Sequence, residues 1–114
     1  MKAISIRSAE HYVWGEGCDG WHLFKDPDLH VIQEAVPPGA SERRHVHAKA
    51  RQFFYILSGQ AVMELDGEDH ALAAGEGIHI PAGSPHQFKN PFEAAVSFLV
   101  ISNPTTRGDR TDLD

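Results

Sequence analysis

A single cysteine, Cys18, occurs in the 114-residue sequence, so an internal disulfide framework is impossible and the chain fits a reducing cytoplasm. No run of about eighteen apolar residues offers a membrane span, and the N-terminus lacks the apolar core of a signal peptide. Ten Lys and Arg stand against sixteen Asp and Glu, which gives a formal net charge of −6. We therefore expect neither nucleic acid nor an anionic membrane as a partner.

Long helical patterns are also scarce, because proline and glycine recur throughout the chain after Leu29. Between these breaks lie short runs rich in Val, Ile, Phe and Tyr, which are typical of strands. The chain has room for one core, so we expect a single all-β domain over residues 1–114, a sandwich or a barrel. The predicted strands are Leu29 to Val36, Gln52 to Leu57, Ala61 to Leu65, Gly77 to Ile80 and Ala94 to Ser102.

Two connecting segments have distinct signatures. Asp66-Gly67 separates two predicted extended runs, and this dipeptide tolerates the positive φ angles of a type I′ hairpin turn. The segment from Thr105 to Asp114 is polar, and we expect it to wrap the surface or to fray.

The predicted strand from Gln52 to Leu57 has two different faces. Gln52, Phe54 and Ile56 share the face that suits a barrel interior, and the other face carries three large apolar residues. A small barrel exposes much of its surface, so this second face favours pairing with another copy of the chain. We therefore expect a homodimer that packs through Phe53, Tyr55 and Leu57.

Histidines concentrate in two short segments, residues 39–59 and 75–90. His45 and His47 lie two positions apart, so on an extended strand their side chains point to the same face. Neutral imidazoles are good ligands for divalent transition metals. Gln52 offers an amide oxygen, a weaker ligand without charge. His86 follows a rigid turn, Pro81 to Pro85, that can direct it toward the other three residues.

These segments resemble the two signature motifs of the cupin superfamily. The first has Gln52 where the family usually has Glu, and it matches at Gly39, His45, His47 and Gly59. The second matches at Gly75, Pro81, Gly83, His86 and Asn90. The resemblance implies a cupin jelly-roll β-barrel, also called a double-stranded β-helix. It also implies one divalent metal ion, such as Zn, Mn, Fe or Ni, with His45, His47, Gln52 and His86 as ligands.

Three imidazoles and an amide are all neutral, so an ion bound by them keeps its full charge and favours an anionic or chelating small-molecule ligand. The same ligand set is similar to those of small cupins that isomerise unsaturated uronates and of manganese-dependent hydroxynitrile lyases. The uronate enzymes carry an acidic residue on the last strand shortly before a Thr-Pro. The matching stretch here, Leu99 to Pro104, contains no acid.

The leading hypothesis is a metal-dependent isomerase or lyase that uses the ion as a Lewis acid on a small oxygenated substrate, with sugar acids among the candidates. One alternative is an Fe(II)-dependent dioxygenase, for which three histidine ligands suffice. The other is a non-catalytic protein that binds or senses a small molecule.

Several further residues are candidates for a role in the site, and some of them have an alternative, purely structural interpretation. The acid/base candidates are Tyr12, His30 and Glu34, from strands that can reach the cavity. Basic residues that either bind a substrate carboxylate or form a solvated rim are Arg43, Arg44 and Arg51. Trp14 and Trp21 flank Cys18 and either cover the barrel mouth or, as we favour, close one end of the core or a dimer interface. His79 is expected to face solvent.

Overall fold

The computed structural model describes residues 2–113, which form eleven strands and no helix. None of these residues therefore belongs to a helix long and apolar enough to cross a membrane. The strands are β1 Glu10–Trp14, β2 Cys18–Lys25, β3 His30–Val36, β4 His45–His47, β5 Arg51–Ser58, β6 Gln60–Leu65, β7 Glu68–Ala73, β8 Gly77–Ile80, β9 His86–Lys89, β10 Val96–Asn103 and β11 Arg110–Asp112.

The strands form two antiparallel sheets. One has six strands in the order β1-β2-β3-β10-β5-β8, and the other has five in the order β11-β4-β9-β6-β7. This arrangement confirms the predicted all-β jelly-roll class. Strand β10 lies in the interior of the six-stranded sheet, where it pairs with β3 on one side and with β5 on the other.

The hairpin predicted at Asp66-Gly67 joins β6 to β7. Asp66 has a φ of 52° and Gly67 a φ of 88°, and Leu65 pairs directly with Glu68. Two positive φ angles in a two-residue loop match the right-handed twist of the strands, as a type I′ turn does. The turn prediction is therefore confirmed.

Strand β5 alternates as predicted. Gln52, Phe54 and Ile56 are buried, whereas Phe53, Tyr55 and Leu57 are 40%, 37% and 41% exposed. Inside the barrel Phe54 packs with Phe88 and Phe98, and the closest pair of ring centroids, Phe88 to Phe98, is 4.0 Å apart. Phe54 belongs both to this core and to the wall of the cavity described below.

The five predicted strands correspond to β3, β5, β6, β8 and β10, with bounds within two residues. The five predicted strands leave out residues 10–25, which form β1 and β2, because most of the side chains there are exposed or half-buried and show little alternation. The polar C-terminal segment was also predicted without a strand. It forms β11, which pairs with β4 through its backbone, and backbone pairing leaves no apolar pattern in the sequence.

Candidate metal centre and its cavity

The structure brings His45, His47 and His86 together. His45 and His47 lie on the same face of β4, and His45 pairs directly with His86 of β9. All three side chains are buried, and one ring nitrogen from each lies within 4.8 Å of the others. Three imidazoles at this separation form a group that can hold a metal ion.

Each histidine has its Nδ1 engaged by a backbone carbonyl oxygen. Nδ1 lies 2.7–3.0 Å from the acceptor, which is the oxygen of Arg43 for His45, of Asp109 for His47 and of Ser84 for His86. A carbonyl accepts only, so Nδ1 must carry the hydrogen and Nε2 keeps its lone pair. The Nε2 of His86 is buried and has no hydrogen-bond partner within residues 2–113.

Burial also keeps these imidazoles neutral. It lowers the pKa of His45 to about 3, despite the opposing hydrogen bond to the Arg43 carbonyl, and it lowers the pKa of His47 and His86 in the same direction. Neutral imidazole is the form that binds a metal, so the three rings do not need to lose a proton at neutral pH.

Gln52 lines the same cavity as the histidines of β4. Its Nε2 donates a hydrogen bond to Ser102 Oγ at 3.1 Å, and its Oε1 is buried without a partner in the described chain. A buried polar atom without a partner is costly and calls for an explanation. The orphaned atoms of Gln52 and His86, one oxygen and one nitrogen, fit the donor set of a divalent transition metal.

His45 and His47 line a cavity of about 240 Å³. Its wall contains apolar residues from β1, β3, β5 and β10, namely Trp14, Ile32, Phe54 and Val100. Its other polar residues are Tyr12, Glu34, Glu42, Thr106 and Arg110. Two of the predicted acid/base candidates, Tyr12 and Glu34, therefore share a cavity with His45 and His47.

Tyr12 and Glu34 are connected across strand β2. Gly20 pairs with Tyr12 on one side and with Glu34 on the other, so the three residues form one row across the sheet. A Cβ on Gly20 would lie only 2.1 Å from the Tyr12 ring, so the ring occupies the space that a side chain at position 20 would fill. The Tyr12 hydroxyl donates a hydrogen bond to Glu34 Oε2 at 2.7 Å.

Burial raises the pKa of Glu34 to about 7, while the Tyr12 hydrogen bond and the charge of Arg110 oppose this rise. Burial, followed by the negative charge of Glu34, raises the pKa of the Tyr12 phenol, which stays protonated at neutral pH. A carboxyl group that titrates near pH 7 is suited to exchange a proton with a bound molecule.

Two ionisable residues of the cavity wall, Glu42 and Arg110, were not among the site residues predicted from the sequence. Glu42 accepts a hydrogen bond from the Phe88 backbone N–H at 2.9 Å, and its Oε2 lies 4.0 Å from His45 Nδ1. Burial raises the pKa of Glu42 to about 8. Arg110 comes from β11, and its Nε donates to Asp112 Oδ1 at 2.7 Å. The short polar tail that carries Arg110 matches no motif, so no sequence signal marked this residue.

The remaining candidates lie elsewhere. His30 bonds His22 at 2.9 Å and lines a separate groove. None of the three arginines Arg43, Arg44 and Arg51 lines the cavity, and Arg44 forms an ion pair with Glu64.

Trp14 lines the cavity, whereas Trp21 packs against His11. Cys18 is fully buried in the core. His79 is exposed on β8, as predicted.

Comparison with known proteins agrees with the family resemblance of the two histidine-containing segments. A family model described as "Cupin domain" matches residues 33–102. An uncharacterised protein of Methanocaldococcus jannaschii is 27% identical over 92 residues, which cover 81% of this chain and 74% of that protein. An oxalate-binding protein of Thermotoga maritima is 30% identical over 85 residues, which cover 70% of each chain.

Among solved structures, a sugar phosphate isomerase of the cupin superfamily from Silicibacter pomeroyi has a TM-score of 0.76 and 25% sequence identity. The match covers 90% of this chain and 75% of the other. Several other curated relatives are longer proteins, and the chain spans 42% or less of their length.

Proposed function

Since this chain belongs to the cupin family, we propose that it is a mononuclear metal enzyme of the isomerase or lyase type. Its substrate is a small oxygen-rich anion, such as a sugar acid or a sugar phosphate. The observation that carries this proposal is the shared cavity. His45 and His47 of the histidine group, a cationic side chain and a carboxyl–phenol pair all line one space of about 240 Å³, and His86 lies beside these two histidines.

The proposed ligands are Nε2 of His45, His47 and His86, together with Oε1 of Gln52. Their support is the backbone carbonyl at each Nδ1 and the two buried atoms without partners. A divalent ion bound there would polarise a carbonyl or hydroxyl oxygen of the substrate.

The electrostatics of the cavity favour an anion. All four proposed ligands are neutral, so none of them offsets the charge of the ion. Arg110 also lines the wall; its Nε is paired with Asp112, and the other N–H groups of its guanidinium can bind a carboxylate or phosphate oxygen. The relatives agree with this class, because one is an oxalate-binding protein and one a sugar phosphate isomerase.

The Tyr12–Glu34 pair supplies the proton chemistry of the proposal. In its ionised form the Glu34 carboxylate accepts a proton from a carbon next to the substrate carbonyl, and it returns the proton to a neighbouring atom. The hydrogen bond from Tyr12 fixes the orientation of this carboxyl group. An acid/base pair in the cavity favours an enzyme over a sensor, which needs only to bind its ligand.

The test uses the protein loaded in turn with Zn²⁺, Mn²⁺, Ni²⁺ and Fe²⁺ in deuterated buffer. Small uronates, hydroxy acids and sugar phosphates are added, and proton NMR follows both conversion and deuterium incorporation next to the carbonyl. We expect metal-dependent exchange with at least one compound. Glu34→Gln and Tyr12→Phe should lower its rate by about 10²–10⁴-fold and leave the metal content unchanged.

Two other outcomes would replace the proposal. Oxygen consumption by the iron-loaded protein without proton exchange would assign the dioxygenase alternative. Saturable binding of an anion with neither exchange nor oxygen consumption would assign the non-catalytic alternative. Exposed Glu68→Gln on β7 is the control, because this carboxylate lies in the other sheet and does not line the cavity.

A further inference from the structure

The C-terminal strand β11 is attached to the histidine strand β4 along its whole length. Arg110 pairs with His47 and Asp112 pairs with His45. The backbone N–H of Leu113 also donates to the Arg44 carbonyl at 2.7 Å. Two of the proposed metal ligands therefore lie on a strand whose outer neighbour is only three residues long.

Asp109, the residue before β11, contacts the histidine strand in two ways. Its backbone oxygen accepts the hydrogen bond of His47 Nδ1 at 3.0 Å. Its carboxylate accepts hydrogen bonds from three successive backbone N–H groups that follow β4, those of Ala48, Lys49 and Ala50, at 2.9–3.0 Å. One side chain thus holds the turn after His47, while the same residue's carbonyl holds the His47 ring.

These contacts determine which nitrogen of His47 faces the cavity. With the Asp109 carbonyl in place, Nδ1 carries the hydrogen and Nε2 presents its lone pair. Without the Asp109 carbonyl, the His47 ring is free to rotate and to exchange tautomers. Metal binding would then also have to order the ring, which lowers the affinity. Residues that orient a metal-binding histidine in this way typically contribute about 10–100-fold in affinity.

We propose that Asp109 is a positioning residue for His47 and that the docking of residues 109–113 onto β4 is coupled to metal binding. This inference rests on the proposed function only in taking His47 as a ligand. Coupling between two binding events is reciprocal. The docked segment therefore strengthens metal binding, and the bound metal protects the segment from opening. Arg110 belongs to this segment, so its position at the cavity depends on the same contact.

The experiment measures Zn²⁺ affinity by competition with a chromophoric chelator in the wild-type protein, Asp109→Ala and Asp109→Asn. Asp109→Ala keeps the backbone carbonyl but removes the carboxylate that holds residue 109 against the turn after β4, so the carbonyl is no longer anchored at His47 Nδ1. The affinity should fall by about 10-fold, the lower end of the effect of losing such a partner. The Zn²⁺ affinity of Asp109→Asn should lie between those of the wild type and Asp109→Ala, because an amide keeps one acceptor oxygen. The matched control is Glu76→Ala, which removes another carboxylate that accepts a backbone N–H in a turn, that of Ala73 at 2.8 Å, and should bind Zn²⁺ as the wild type does.

Hydrogen exchange followed by mass spectrometry supplies a second measurement on the unmodified chain. Zn²⁺ should slow the exchange of residues 109–113 by more than it slows that of the β6–β7 hairpin. The inference is overturned if Asp109→Ala binds Zn²⁺ as tightly as the wild type. It is equally overturned, whether or not that variant folds, if Zn²⁺ leaves the exchange of residues 109–113 unchanged. A wild-type protein that binds none of Zn²⁺, Mn²⁺, Ni²⁺ and Fe²⁺ refutes the metal site itself.

Discussion

Gln52 and Ser102 face each other across strands β5 and β10, and Gln52 Nε2 donates to Ser102 Oγ at 3.1 Å. The two polar atoms of an amide diverge, so this bond directs Oε1 away from Ser102. The contact therefore orients Oε1 of Gln52. This neutral oxygen stands where the motif usually has a carboxylate.

Gln52→Glu adds a negative charge at that oxygen, and Ser102 can still donate a hydrogen bond to it. We expect tighter Zn²⁺ binding and weaker binding of small carboxylates. Opposite unit charges about 4 Å apart attract by roughly 4 kcal/mol at an effective dielectric constant near 20, so the change should be measurable by calorimetry.

The matched control for this charge is Gln33→Glu, since Gln33 donates to Ser97 Oγ at 3.3 Å across β3 and β10 and does not line the cavity. Unchanged carboxylate affinity in Gln52→Glu, together with altered oxygen consumption by the iron-loaded protein, would contradict the Lewis-acid proposal and favour the dioxygenase.

His45→Ala and His86→Ala should each abolish stoichiometric metal binding. Each variant removes one of three nitrogen donors and leaves a site with too few strong ligands. Elemental analysis gives the metal content, and circular dichroism shows whether the β structure persists. His79→Ala, a histidine exposed on β8, should retain metal. Full metal content in either of the first two variants would remove that histidine from the site.

In the metal-free protein, Glu34 should make the free energy of unfolding depend on pH. Its pKa is about 7 in the folded chain against an ordinary 4.5, so the unfolded chain ionises first as the pH rises. The contribution to the free energy of unfolding is therefore complete below about pH 4.5 and is lost as the pH passes through about 7. At 1.36 kcal/mol per pH unit, the loss amounts to about 3 kcal/mol at most.

Urea unfolding with a chelator from pH 4.5 to 8 measures this effect. Glu34→Gln should gain stability relative to the wild type as the pH rises, because the amide cannot ionise. Glu68→Gln is the solvent-exposed control. A constant difference between Glu34→Gln and the wild type over this range would show that the folded chain does not hold the Glu34 proton.

We predict a homodimer that packs through the exposed face of β5, where Phe53, Tyr55 and Leu57 are each more than a third exposed. An apolar strand face of this kind is stabilised when a second copy covers it. Light scattering at micromolar concentration should give twice the chain mass, and Tyr55→Lys should give a monomer. The control is Val13→Lys, on the exposed face of β1. A monomeric wild-type protein would be the contrary result.

The sequence predicted the parts of the site that depend on local spacing. The two-residue separation of His45 and His47 determined their shared face, and the alternation in β5 determined that Gln52 points inward. The Tyr12–Glu34 pair depends instead on the register of three strands, which a one-residue slip would invert. Arg110 and Asp109 reach the site through backbone pairing and carbonyl contacts, which any side chain permits and which therefore leave no pattern to recognise.

The interior position of β10 has a consequence for how the chain is made. β3 ends at residue 36 and β5 at residue 58, but the strand between them begins only at residue 96. While the protein is being synthesised, both earlier strands present an open hydrogen-bonding edge until their common neighbour has left the ribosome. Open edges recruit other chains. A ribosome that pauses before Val96 would therefore hold a nascent chain that is prone to aggregate and that depends on chaperones until β10 has been made.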